Sequence, residues 1–287
     1  MIKLIASDMD GTLLNDKRLI SKENVQAIKK AQSKGIKFLI ATGRNYEEVE
    51  GFLLEHDIRC KCILMNGSEY RDENGKIFET INIDKNKVKK ITILLQKSAI
   101  NLRLMTNKGI FTTNTKEEDF MFFVSMYKRD KSISEEKAIE IVKKSDYFVK
   151  TKYIENIDEL LEENIEIRKI IANFDIKETA EVAKVELNKF DGLAIAASFF
   201  DNIEITDIKA QKGIMLSKVA EDLKLSKDEV MVIGDSFNDY SMFTEFNESV
   251  AMGNAIDEIK AIAKYVTETN EDNGVGKAIT RVCLIEK

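Results

Sequence analysis

Apolar positions in this chain fall into short unbroken runs, separated by stretches in which they recur at helical spacing. Lys3-Leu4-Ile5-Ala6-Ser7 is one such run and stops at Asp8. Behind Ser21, a natural N-cap, Val25, Ile28 and Ala31 then repeat every three residues until Gly35, so the pattern predicts strand, loop, helix. Ile36–Ala41 is a second buried-strand run and leads through Thr42-Gly43-Arg44 into a helix carrying Val49, Phe52 and Leu53. Cys62–Met65 is a third strand, ending at Asn66-Gly67.

Strands alternating with helices predict a parallel sheet with right-handed crossovers, and such sheets bind ligands beyond the carboxyl ends of their strands. Asp8, Thr42 and Asn66 occupy those ends. The same texture returns late, with a helix over Gln211–Leu223 and strands Val230–Ile233, Val250–Met252 and Tyr265–Thr267. Between Ile83 and Ile208 it changes to charged helices (Lys85–Lys97, Ser134–Lys144, Thr179–Lys189), a mixed strand Ile167–Phe174, and a hairpin pairing Leu193–Ser198 with Asn202–Thr206. The expected architecture is therefore α/β: a Rossmann-like parallel-sheet core from residues 1–82 and 209–287, with an inserted α+β unit at 83–208. A length of 287 residues suits two domains of about 150 each.

Charge and cysteine content narrow the function. A net charge of −6 gives no cationic field for a phosphate backbone, so a nucleic-acid polymer is not an expected partner. Apolar runs such as Leu193–Ser198 fall far short of the ~20 residues of a membrane span. The start Met1-Ile2-Lys3 lacks a signal-peptide layout, and three cysteines (Cys60, Cys62, Cys283) do not make a disulfide framework. We expect a cytoplasmic protein, a monomer or small homo-oligomer. The single histidine, His56, sits in no triad or zinc pattern, which leaves carboxylate chemistry.

Two segments carry that chemistry. Ser7-Asp8-Met9-Asp10-Gly11-Thr12 puts two carboxylates at a strand end, with a glycine that lets the chain turn away; Asp and Gly in an ordinary turn would look the same. Val230–Asp239 repeats the design as a buried strand, Gly234, Asp235, and then Asn238-Asp239. Four aspartates so gathered repel one another unless a hard cation lies among them, and Asp oxygens with water are what Mg²⁺ takes. Magnesium points to a phosphate substrate. Thr42 reads equally as a helix cap, Arg44 as an ion-pair partner or a substrate contact, and Lys212 as one lysine on a solvated helix.

Asp8-Met9-Asp10-Gly11-Thr12, Thr42-Gly43-Arg44, Lys212-Gly213 and Gly234-Asp235-Ser236-Phe237-Asn238-Asp239, in that order, resemble the motifs of the haloacid dehalogenase superfamily, specifically its Cof-type phosphatases. Asn66-Gly67, Ala251–Ala255 and Thr267–Val275 extend the resemblance over essentially the whole chain. It implies an Mg²⁺-dependent phosphatase of small phosphorylated metabolites. Asp8 would be the nucleophile, Asp10 the acid and base, and Thr42 and Lys212 the groups that neutralise the phosphoryl oxygens. Asp8, the Asp10 carbonyl and Asp235 would hold the metal, while Met9, Gly11, Gly43, Asn238 and Asp239 would lie on the phosphate side or orient Lys212 and metal-bound water. Residues 83–208 would be a cap that selects the substrate, with Phe199, Phe200 and Asp201 at its hairpin tip. A phosphomutase on the same scaffold, or a binding protein that retains the pocket, are the alternatives.

Overall fold

The computed structural model describes residues 1–131, 133–163, 165–197 and 201–281. Phe199, Phe200 and Cys283 lie outside them. The chain separates into two compact units, one of Met1–Ile81 with Ile208–Lys287 and the other of Asn82–Asp207.

The first unit opens with β1 (Leu4–Ser7), α1 (Lys22–Ser33), β2 (Lys37–Ala41), α2 (Tyr46–His56), β3 (Lys61–Leu64), β4 (Glu69–Arg71) and β5 (Ile77–Thr80). The second unit holds α3 (Lys85–Leu95), β6 (Asn101–Thr106), β7 (Gly109–Thr112), α4 (Lys116–Lys131), α5 (Glu135–Lys144), α6 (Asp146–Val149), β8 (Lys152–Tyr153), α7 (Asp158–Glu162), β9 (Ile167–Asn173), α8 (Lys177–Leu187), β10 (Leu193–Ala196) and β11 (Asn202–Asp207). The chain then returns to the first unit with α9 (Lys212–Asp222), β12 (Val230–Gly234), α10 (Tyr240–Glu245), β13 (Glu248–Ala251), α11 (Asp257–Ile262), β14 (Tyr265–Val266) and α12 (Gly274–Ile279).

The first unit is built on a sheet of order β14-β13-β12-β1-β2-β3-β4-β5, parallel from β14 to β3 and antiparallel beyond. β1 and β12 are apolar runs buried along their whole length, as strands covered on both faces must be. β1 lies between β2 and β12, so the chain winds outward from it in both directions and a crevice opens at its carboxyl end. Local signals start the helices. The Ser21 hydroxyl accepts from the Asn24 amide to cap α1, and Asn45 with Glu48 forms a full capping box on α2. Thr42 is thus not the cap of α2.

α9 is pressed against α10 so closely that a Cβ on Gly213 would overlap the Ser241 backbone. Gly213→Ala is expected to cost about 1–3 kcal/mol of stability through overpacking. It should also reduce activity, because α9 carries Lys212. Urea unfolding read alongside turnover checks both.

The second unit is a sheet of order β10-β11-β9-β6-β7-β8, antiparallel except for the β7–β8 pair. Leu102, Leu104, Ile170, Ala172, Ile203 and Ile205 alternate onto the face that shares a core with Val88, Ile91, Ala180 and Leu187 of α3 and α8. On β6, Arg103 is fully buried between the rings of Phe123 and Tyr147, at 4.5 and 4.7 Å, and pairs with Asp119 of α4. Asp201 is buried and pairs with Arg129 at 2.9 Å, which makes it an internal anchor of this unit. α4 is an element the sequence pattern does not predict. Phe120, Phe123, Val124 and Tyr127 do recur at helical spacing, but Met121, Phe122 and Met126 between them spread apolar positions around the helix and blur the stripe. Among the described residues no helix is long and apolar enough to cross a membrane.

Candidate active site

Asp8 follows β1, Thr42 follows β2, Asn66 follows β3 and Asp235 follows β12. All four sit at carboxyl ends of neighbouring parallel strands, where the apolar runs predict them. Asp8 is buried and accepts a hydrogen bond from Lys212 Nζ at 2.6 Å. The same ammonium donates to Asp239 Oδ1 at 2.6 Å and has no exposed surface. Asp239 is itself fixed, because its Oδ2 accepts from the Asp235 and Ser236 amides at 2.9 and 3.2 Å. Lys212 is therefore a buried centre, not a residue of a solvated face. Asn238, on the same turn as Asp239, makes no hydrogen bond to Lys212; holding the ammonium falls to Asp239.

Burial pushes the Lys212 ammonium toward neutrality, but the charges of Asp239 and Asp8 outweigh it and hold the group firmly protonated. Asp8 moves the other way for a carboxylate. Burial raises its pKa well above the ordinary value, and Asp239, Asp235 and Asp10 add to the rise against the pull of Lys212. Asp235 is pushed up to about 7 by burial and by Asp239, against a 2.6 Å hydrogen bond from the Thr12 hydroxyl.

Carboxylate oxygens of Asp8, Asp235 and Asp239 lie within 4.8 Å of one another. Asp8, Asp235 and Asp239 crowd together around the single Lys212 ammonium, and their mutual repulsion is part of what raises the pKa values of Asp8 and Asp235. A cation placed among them would relieve that repulsion, and an all-oxygen donor set suits a hard divalent one. The residues therefore fit a magnesium ion. Both Asp239 oxygens already serve Lys212 and the Asp235–Ser236 amides, so Asp8 and Asp235 are the better-placed side-chain donors.

Asp10 differs from its partners. Its carboxylate is 52% exposed and receives two hydrogen bonds from Arg44, at 2.7 and 2.6 Å. Loss of solvent around it raises its pKa, yet the Arg44 hydrogen bonds and charge prevail and hold it below the ordinary carboxylate range. Met9, between the two acids, points the opposite way into the apolar core with no exposure, so only its main chain can face a phosphate. Gly11 adopts φ +73°, and a Cβ there would sit 2.5 Å from Asp235 Oδ2. The Thr42 side chain is buried and its hydroxyl accepts from the Arg44 amide at 3.3 Å. Gly43 lies between them at the β2 end.

Two asparagines complete the frame. Asn254 donates to the Gly11 carbonyl at 2.7 Å and accepts from the Asn270 amide at 2.9 Å, while Asn270 Nδ2 donates to the Leu14 carbonyl at 3.1 Å. They pin the turn after Asp10. In the sequence they stand only inside the Ala251–Ala255 and Thr267–Val275 segments, with no local signal of what they hold.

The sequence profile of haloacid dehalogenase-like hydrolases matches residues 5–279. The phosphatase YwpJ of Bacillus subtilis is 32% identical over 280 residues, covering 96% of this chain and 97% of that protein. A second Bacillus subtilis protein, the 5-amino-6-(5-phospho-D-ribitylamino)uracil phosphatase YcsE, is 33% identical over 284 residues, covering 97% and 94%. Among solved structures, a haloacid dehalogenase-like hydrolase from B. subtilis superposes with a TM-score of 0.86 at 29% identity, covering 98% of this chain and all of that one.

Proposed function

The chain belongs to the haloacid dehalogenase-like hydrolase family, and from that membership we propose that it is a magnesium-dependent phosphatase of small phosphorylated metabolites. The observation that carries the proposal is the convergence of Asp8, Asp235, Asp239 and Lys212 at the β1 and β12 strand ends. Asp8 acts as nucleophile: an Oδ bonds to phosphorus as the ester P–O bond breaks, giving an aspartyl-phosphate and splitting the hydrolysis into two steps. The negative charge of a bound phosphoryl group opposes the pull of Arg44 and favours protonation of Asp10, which gives that proton to the departing oxygen and then takes one from the water that displaces Asp8 from phosphorus. Lys212 and the Thr42 hydroxyl hold phosphoryl oxygens, a task of positioning and charge matching. Asp8, Asp235 and the Asp10 carbonyl would hold Mg²⁺, which when bound supplies positive charge to those oxygens. Substrate choice is assigned to the inserted unit, Asn82–Asp207.

Release of p-nitrophenol from p-nitrophenyl phosphate tests the reading. Turnover is expected with Mg²⁺ and should vanish with chelator. The first metabolite to assay is 5-amino-6-(5-phospho-D-ribitylamino)uracil, a primary alkyl phosphate for which relatives 33% and 30% identical are named. Phosphate moved to another hydroxyl with none released would reassign the site to a phosphomutase, and no turnover with any phosphate ester would overturn the enzyme reading.

A further inference from the structure

Arg44 has no task in the chemistry above, yet its side chain is only 15% exposed and its guanidinium is forked onto Asp10. Nε donates to Asp10 Oδ2 and Nη2 to Oδ1, the two-pronged geometry that fixes the plane of a carboxylate as well as its place. The arginine is held in turn. Its amide donates to Thr42 Oγ1, its carbonyl accepts from the Met65 amide at 2.9 Å, and its guanidinium carbon lies 5.4 Å from the centre of the Phe52 ring on α2. Asp10, half-exposed on a turn, has the rotational freedom of a surface side chain without that fork. The frame thus runs from the β2 and β3 strand ends through Arg44 to Asp10.

We infer that Arg44 is a positioning residue for proton transfer: it aims the Asp10 carboxyl at the leaving oxygen and then at the attacking water. The inference rests on the proposed role of Asp10. Each carboxylate oxygen has two acceptor positions, so the fork occupies one on each and leaves the other to carry a proton. In the first step Asp8 Oδ bonds to phosphorus, the ester P–O electron pair passes to the leaving oxygen, and that oxygen takes the Asp10 proton to depart as an alcohol. In the second, a water oxygen bonds to phosphorus, the Asp8–phosphorus pair returns to Asp8, and the water proton passes to Asp10.

The test compares two classes of ester. A p-nitrophenolate departs without a proton, whereas a primary alkoxide needs one, so only the second depends on a well-aimed Asp10. We therefore compare kcat/KM, which ends at leaving-group departure, for p-nitrophenyl phosphate and for a primary alkyl phosphate in wild type, Arg44→Gln and Arg44→Lys. General acid catalysis contributes on the order of 10²–10⁴-fold, and mis-aiming the acid is expected to lower the alkyl-to-aryl ratio by at least about tenfold. Arg44→Lys, which keeps the charge but not the fork, should not restore the ratio. It carries the comparison by itself if the Gln variant fails to fold. In an Asp10→Asn background, Arg44→Gln should change the ratio less than about twofold, since coupled residues are not additive. Equal losses on both esters would overturn the inference, because a structural or phosphate-binding arginine acts on both alike. Restoration by lysine would overturn it too. Wild-type protein inactive on both esters would instead remove the phosphatase reading, and the inference with it.

Discussion

Asp8→Asn is expected to lower phosphatase turnover by on the order of 10⁴-fold or more while leaving the fold intact. The substitution exchanges one carboxylate oxygen for an amide nitrogen at a buried position, so shape is nearly kept and the attacking charge is lost. The stability result separates this from simple damage. Asp8 and Asp235 both have folded pKa values above the ordinary carboxylate value, Asp235 at about 7. A carboxyl raised in this way binds its proton more tightly in the folded state. Its contribution is fully present below the unfolded pKa of about 4 and is lost as pH climbs through the folded value. Metal-free wild type should therefore lose stability from these two groups as pH rises above about 4, the Asp235 share going as pH passes about 7. Asp8→Asn removes one of them, so in chelator at pH 8 its Tm should equal or exceed that of wild type, and added Mg²⁺ should stabilise wild type more. A variant that retains full turnover would end the nucleophile assignment.

The legible part of the molecule is the part written in consecutive residues. β1, β2, β3 and β12 are short, mainly apolar runs followed closely by Asp8, Thr42, Asn66 and Asp235, so both the parallel sheet and the edge that carries the candidate site follow from the order of residues along the chain. Met9 is a correction: the motif puts it on the phosphate side, but its apolar side chain turns into the core, where burial of a large apolar group wins, and only its main chain faces the site. What cannot be read in this way depends on residues far apart. Asn254 reaches Gly11 across 243 positions, and Arg44 reaches Asp10 between the ends of two different strands. No periodicity encodes either contact. α4 escapes for a different reason: the stripe Phe120, Phe123, Val124 and Tyr127 that meets Val142 and Phe148 is interleaved with Met121, Phe122 and Met126, so its helical period is masked by apolar residues on the other faces.

Lys212 is the position where one substitution should cost both activity and fold. Its ammonium is wholly buried between Asp8 and Asp239, and removing one member of such a group leaves uncompensated buried charge, worth about 3–5 kcal/mol. Lys212→Met keeps the stem and removes the charge, so it isolates the electrostatic part. Asp8, Asp235 and Asp239 would then face one another with no cation from the chain between them. They would escape by taking up protons, which also disarms Asp8. The pH dependence follows in sign. The lysine stays charged far above neutrality, so wild type loses nothing from it between pH 5 and 8. In the variant the remaining carboxylates, raised further, bind protons more readily in the folded state, so its deficit should shrink at pH 5 and widen at pH 8. Turnover should fall by on the order of 10²–10³-fold even where the protein is folded, as for loss of one oxyanion donor. Lys212→Arg should not recover it, because a planar guanidinium cannot take the place of a compact ammonium held at 2.6 Å by two fixed acids. Urea unfolding at pH 5 and pH 8, with turnover measured at each, decides the matter: a deficit that does not change with pH would show that Lys212 fills space and does not balance charge.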